Sequence, residues 1–257
     1  MQKLLDIMRR LRDPDSGCPW DLEQTFDSIA PHTIEEAYEV ADTIERNALD
    51  ELKDELGDLL FQIAFYTQMA AEKDLFDYAV VEQGICEKME RRHPHVFGFS
   101  QIENAEAQTV AWNTMKAEER RHKGASSMMD DIPRGMAELQ KSVKIQRRAA
   151  EVGFDWPEPE PILDKIEEEI RELRQEIHQS DSEAMQDELG DLLFACTNLA
   201  RALKLDPAQA LRGANRKFER RFRAMETAAG GIEAFQALTL EAQEMLWQQI
   251  KPKTGAG

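Results

Sequence analysis

What this sequence lacks narrows its role before any motif is read. Positive charge is short: 32 lysines and arginines stand against 50 aspartates and glutamates, for a net charge of -18. So acidic a surface repels phosphate backbones and anionic lipid, and neither nucleic acid nor a membrane is expected as a partner. Cysteine is scarce and scattered. Cys18, Cys86 and Cys196 form no C-x-x-C pair, and two of them fall in apolar helical patterns, which fits a reduced, cytoplasmic compartment. No apolar run reaches the roughly 18 residues that a membrane-spanning helix needs. The stretch MQKLLDIMRRLRDP reads as a short amphipathic helix, without the apolar h-region or small-residue cleavage site of a secretory signal. No Ser, Cys or His nucleophilic triad is evident.

Acid, by contrast, is abundant and patterned. Glu168-Glu169-Ile170-Arg171-Glu172 and Glu188-Leu189-Gly190-Asp191 both read as helical. Positions three and four apart share a helix face, so Glu169 lies beside Glu172, and Glu188 beside Asp191. Apolar stripes accompany them: Ile166, Ile170, Leu173 and Ile177 on one helix, and Leu189, Leu192, Leu193, Cys196, Leu199 and Leu203 on the other. Each acid immediately precedes a stripe residue, which places the four at the border of the core. If the helices are neighbours, the four like charges repel unless a cation neutralises them. A single acidic run is more simply a solvated face.

The chain does this twice, however. An N-terminal helix carries Leu4, Ile7, Met8 and Leu11, and turn-rich sequence follows through Gly17-Cys18-Pro19-Trp20. Asp27, Ser28 and Pro31 keep the next stretch irregular, and Thr33 caps a helix with Glu36 as its capping-box partner. Asp50 opens a helix holding Glu55-Leu56-Gly57-Asp58; further helices run from Tyr78 to Arg92 and from Ala105 to Arg121. After Lys123-Gly124-Ala125-Ser126-Ser127 the order returns. Glu35-Glu36-Ala37-Tyr38-Glu39 recurs as Glu168 to Glu172, and Glu55 to Phe61 recurs as Glu188 to Phe194, both at an offset of 133 residues. Ile7 to Arg10 returns as Ile145 to Arg148, Trp20 as Trp156, Lys88 to Arg92 as Lys217 to Arg221, and Trp112 as Trp247. The chain is therefore predicted to be all-α and a tandem duplication, with a first domain 1–122, a linker 123–131 and a second domain 132–257.

A merely solvated face has no reason to keep that placement twice, and the duplication favours a metal site: Glu36, Glu39, Glu55 and Asp58 in one half, Glu169, Glu172, Glu188 and Asp191 in the other. Oxygen-only ligands suit Mg²⁺ or Mn²⁺. No histidine stands three residues after any of these glutamates, against the Glu-x-x-His pattern of di-iron bundles. Gly57 and Gly190, inside helices at a cost of about 1 kcal/mol each relative to alanine, signal close packing or room for a ligand. Lys88 with Arg92, and Lys217 with Arg221, can flank a polyphosphate or pair with Glu90 and Glu219. Trp112 and Trp247 can stack on a base or anchor the last helix of each half.

The paired EExxE and ExxD motifs, with GCPWD, ELGDLLFQ, ERRHPHVF and KFERRF, closely resemble the tandem bacterial MazG form of the all-α nucleoside triphosphate pyrophosphohydrolases, over nearly the whole chain. The resemblance implies two four-helix units, a homodimer, and Mg²⁺-dependent hydrolysis of nucleoside triphosphates to monophosphate and pyrophosphate, with Mn²⁺ as a substitute. It also implies house-cleaning or control of nucleotide and alarmone pools. By position, Glu169, Glu172, Glu188 and Asp191 become metal ligands. Lys217, Arg221 and Trp247 become nucleotide contacts, and Glu168 supports the ligands or orients water. Asn215-Arg216 precede Lys217 where Cys86-Glu87 precede Lys88, so the second half is expected to be the principal catalytic unit. Two rivals stand beside the enzyme: a regulatory protein that binds nucleotides or alarmones with little turnover, and a helical adaptor whose acids only solubilise it.

Overall fold

The computed structural model describes residues 1–99, 102–122 and 124–251. Among these residues there are thirteen helices and no strand. They are α1 (Gln2–Leu11), α2 (Pro19–Glu23), α3 (Phe26–Glu45), α4 (Leu52–Ala71), α5 (Tyr78–Arg92), α6 (Pro94–Phe97), α7 (Ala105–His122), α8 (Glu138–Ala150), α9 (Glu160–Gln179), α10 (Ser182–Ala202), α11 (Pro207–Ala229), α12 (Ile232–Gln236) and α13 (Leu240–Ile250). The chain divides into two compact units, Met1–Lys116 and Ala117–Gly257, with the division inside α7. Within the expected linker 123–131, the Asp130 carboxylate accepts from the Ser126 and Ser127 N–H groups at 2.7 and 2.9 Å, folding the segment into a turn. Lys123 lies outside the described residues, as do 252–257 at the end of the expected second domain.

In the first unit, α3 and α4 pack together and α1 lies against α4. Met8, Ile29, Ala64, Phe65 and Met69 form the core, with Met8 and Phe65 fully buried. Burying such a side chain contributes about 1.5–3 kcal/mol. Arg12 closes the end of α1 onto Glu72 at 2.7 Å.

One boundary differs from the sequence expectation. Thr33 does not cap α3, which starts seven residues earlier at Phe26. Thr25 is the cap: its hydroxyl oxygen accepts from the Ser28 N–H, and the Ser28 hydroxyl oxygen accepts from the Thr25 N–H. That reciprocal pair holds the first turn well enough for Pro31 to be carried inside the helix despite its missing N–H. Thr33 instead bonds the Ile29 carbonyl at 3.3 Å and the Tyr66 hydroxyl at 2.8 Å, joining α3 to α4. Glu36 is thereby released from capping. Likewise α4 opens at Leu52 after Glu51 rather than at Asp50.

In the second unit α9 and α10 pair as α3 and α4 do, and α8 fastens onto α10. The Gln146 amide donates to the Phe194 carbonyl at 2.8 Å and to the Thr197 hydroxyl at 3.2 Å. Between α9 and α10 the chain turns through Ser180 in the left-handed region, and the Asp181 carboxylate caps α10 by accepting from Glu183 and Ala184. Helices α11, α12 and α13 meet around Met225, Phe235 and Ile250.

Candidate metal and nucleotide site

Of the acids that the sequence pattern puts at the border of an apolar core, Glu169 departs from it and is buried on the inner face of α9, while Glu188 of α10 is half-buried and Glu172 and Asp191 are exposed. On α9 the buried or half-buried side chains include Ile162, Ile166, Glu169 and Leu173; on α10 they include Glu188, Leu192, Ala195, Thr197, Asn198 and Leu199. Glu169 is only 3 % exposed, whereas Ile170 is 40 %, Leu189 46 % and Leu193 54 % exposed. The apolar stripe read from the sequence is thus largely an outer face. The first unit repeats the arrangement, with Glu36 and Glu55 half-buried and Leu56 exposed.

Two carboxylate groups result. Glu36 and Glu39 of α3 meet Glu55 of α4, and Glu169 and Glu172 of α9 meet Glu188 of α10; in each trio one oxygen per residue lies within 4.8 Å of the others. Opposite ligands of an octahedral Mg²⁺ at about 2.1 Å are about 4.2 Å apart, so small side-chain movements bring either trio onto a hard cation. Asp58 and Asp191, one turn further along, are exposed and stand outside these trios, yet their charges are felt within them. Burial, followed by the repulsion of Glu172, Glu169 and Asp191, raises the Glu188 carboxyl above its ordinary range. Burial, then Asp58 and Glu39, raises Glu36; burial, then Glu39 and Asp58, raises Glu55. Hard-oxygen donors under mutual repulsion fit a small divalent cation.

The two trios are supported differently. In the second unit the Lys165 ammonium reaches Glu169 at 2.8 Å and Glu168 at 2.9 Å, and the two carboxylates in turn hold its pKa well above the usual lysine range. Glu168 therefore stands beside the trio, tied to it through Lys165. In the first unit His32 occupies the corresponding position and its Nδ1 lies 3.6 Å from Glu35. Glu36 instead receives the amide of buried Gln62 at 3.4 Å, where the second unit has Ala195. Sequence reasoning missed Lys165 and Gln62. Lysine four residues before Glu169 was a readable signal; Gln62 offered none, being one polar residue in an apolar run.

A second group gathers on α11 and α13. The Arg221 guanidinium lies 5.5 Å from the Trp247 ring centre, and the Phe218 ring packs on the same tryptophan at 5.5 Å. Trp247 is half-buried against the Met225 cluster, so it does anchor the last helix. Glu219 is engaged by Arg223, one turn on. Lys217 stands exposed one turn before Arg221, and Asn215 is exposed nearby on α11. In the first unit Arg92 lies 4.9 Å and Lys116 5.3 Å from the Trp112 ring centre, with His93 packed at 5.3 Å, while Lys88 is half-buried on α5. A side chain added at Gly57 or Gly190 would meet nothing within 4 Å among the described residues, so close packing against them is not the reason for either glycine.

The family model of the MazG nucleotide pyrophosphohydrolase domain matches residues 24–97 and again 158–225. The chain belongs to the MazG family. Its relatives include the nucleoside triphosphate pyrophosphohydrolase of Escherichia coli (strain K12), 51% identical over 98% of this chain and 97% of that protein. The nucleoside triphosphate pyrophosphohydrolase/pyrophosphatase MazG of Thermotoga maritima is 40% identical over 97% and 95% of the two chains. The uncharacterized protein YabN of Bacillus subtilis is 38% identical over 95% of this chain and 50% of its own length. The two MazG matches take in both carboxylate trios with Asp58 and Asp191, and both basic pairs, but neither Trp112 nor Trp247. No described helix is long and apolar enough to cross a membrane.

Proposed function

We propose that this MazG-family chain is a Mg²⁺-dependent nucleoside triphosphate pyrophosphohydrolase, which adds water across the α–β phosphoanhydride bond to give a nucleoside monophosphate and pyrophosphate. The observation that carries the reading is the burial of Glu169 on the inner face of α9, within ligand distance of Glu172 and Glu188. Lys165 offsets one charge of this group, and the carboxylates that remain, under mutual repulsion, are matched by a divalent cation. Mn²⁺ fits the same donors.

The carboxylates Glu169, Glu172 and Glu188, with Asp191 beside them, hold the cation, and Glu168 with Lys165 fixes the orientation of Glu169. Bound divalent cation would supply neutralisation of phosphate charge and a more acidic water. Lys217 and Arg221 receive the negative charge that collects on the departing pyrophosphate, Asn215 offers an amide to the same phosphates, and Trp247 offers a ring face to the base. No covalent intermediate is needed. The second unit is the principal catalytic one, because Lys165, Asn215 and Arg216 are replaced by His32, Cys86 and Glu87 in the first. The exposed apolar row Ile170, Ile177, Leu189, Leu193 and Leu203 supports a homodimer that covers it.

The deciding experiment incubates a panel of nucleoside and deoxynucleoside triphosphates with Mg²⁺ and measures pyrophosphate against orthophosphate. Pyrophosphate in equal amount to monophosphate is expected. Orthophosphate with diphosphate would move the cleaved bond, and ligand binding without release of either would make the chain a nucleotide-binding regulator.

A further inference from the structure

One charged group in the second unit has no part in the reaction proposed above. Arg148 of α8 is 6 % exposed and Arg120, near the end of α7, is 9 % exposed. Arg120 donates to Glu151 at 2.8 Å. The Nη1 of Arg148 is buried with no hydrogen-bond partner among the described residues. The charges bearing on Arg148 are the repulsive one of Arg120 and the attractive ones of Glu151 and Asp131, and Asp131 is exposed.

A guanidinium cannot shed its proton to escape burial. It has to be matched by negative charge and by acceptors for its N–H groups, or it remains a desolvated, unpaired donor. In a chain with 50 acidic residues, supplying a second carboxylate here would be simple, yet Glu151 is ion-paired with Arg120 and, among the described residues, no carboxylate forms an ion pair with Arg148. Burial favours a small anion over an acidic chain segment, and the guanidinium fork matches the oxygen pairs of a phosphoryl group.

We propose that Arg148 and Arg120 form a binding site for a small oxyanion of the phosphate class, built from residues other than the carboxylate trio and the Lys217–Arg221 pair. Free orthophosphate and released pyrophosphate both have this chemistry. The site does not depend on the chain being a hydrolase, since its contacts are separate from those assigned to catalysis.

The test is thermal unfolding of the full chain with metal chelated, in chloride, orthophosphate or pyrophosphate at matched ionic strength. Phosphate about tenfold above its Kd is expected to raise the midpoint by about 3–6 °C over chloride. Arg148→Met should lose that gain, and a Lys217→Ala/Arg221→Ala double variant should keep it. A gain with both anions identifies free phosphate as sufficient, and a gain with pyrophosphate alone identifies the released product as the ligand. Equal midpoints in chloride and in both phosphates overturn the proposal, as does an undiminished gain in Arg148→Met or a gain lost only in the double variant. Should Arg148→Met fail to fold, Arg148→Lys, which keeps the charge without the fork, is expected to need at least tenfold more phosphate for the same gain; an unchanged requirement overturns the site.

Discussion

Lys165 holds the buried carboxylate of Glu169 at 2.8 Å, whereas His32, its counterpart in the first repeat, reaches Glu35 and leaves Glu36 to the Gln62 amide. The ammonium thus stands in for part of the charge that a metal would bring. Lys165→Met is expected to destabilise the metal-free protein by about 1 kcal/mol, the value being held down by the partial exposure of Lys165. That corresponds to about 2–4 °C in the thermal midpoint. Saturating Mg²⁺ should close most of the gap, because a divalent cation neutralises Glu169 in place of the lysine. A gap of unchanged size in Mg²⁺ would mean that Lys165 acts only as a structural ion pair.

The two repeats differ in equipment, so equivalent substitutions should have unequal effects. Glu188→Gln removes one oxygen ligand from the trio backed by Lys165 and should lower turnover by about a hundredfold or more, the loss expected when a metal site is disrupted. Glu55→Gln, at the same position of the first repeat, should leave most of the activity. Turnover measured as pyrophosphate release decides it. A large loss in Glu55→Gln with little in Glu188→Gln would assign catalysis to the first unit.

The duplication and the all-α fold were legible because helical period and repeated motifs are local features of the chain. So was the pairing of Glu169 and Glu172 with Glu188. The inner face was misread: Ile170 and Leu189 look like core residues by hydropathy, yet Glu169 and Glu188 take the inward positions, because hydropathy cannot distinguish a face buried within the unit from one left for another surface. The start of α3 was misread for a different reason. Pro31 looks like a breaker, but the Thr25–Ser28 capping box upstream supplies a start that the proline does not undo. The spacing of Lys165, four residues before Glu169, was legible in the sequence, whereas the burial of its partner carboxylate was not.

The crowding of carboxylates sets a pH dependence in the metal-free protein. Glu36, Glu55 and Glu188 lie above their ordinary value of 4.5, each first through burial and then through neighbouring acids. Between that value and their folded values the folded chain binds more protons than the unfolded chain, so these groups make stability fall as pH rises. Carboxyls held low, such as Asp13 by Ser16 and Glu72 with Arg12, act with the opposite sign and in a more acidic window. The clean readout is therefore a difference. With metal chelated, the midpoint of Glu188→Gln minus that of the parent should grow as pH is raised from about 4.5 to neutrality. A difference that shrinks over that range would show that Glu188 is not under repulsion.

The outer face of α9 and α10 leads to the last expectation. Ile170, Ile177, Leu189, Leu193 and Leu203 are exposed in the single chain, beside a glycine, Gly190, with open space around it. An apolar row of this length is unfavourable in water, and a second copy would cover it with the same row. Leu193→Glu places a charge in the middle of that face, and burying it on association would cost about 3 kcal/mol, a roughly hundredfold weaker dimer. Light scattering across a dilution series should show the parent at twice the chain mass and the variant dissociating at about a hundredfold higher concentration. The same variant should keep its helical content, since Leu193 contributes little to the interior of its own unit. A parent that is monomeric at every concentration, or a variant that dissociates no more readily than the parent, would leave this face to a different partner.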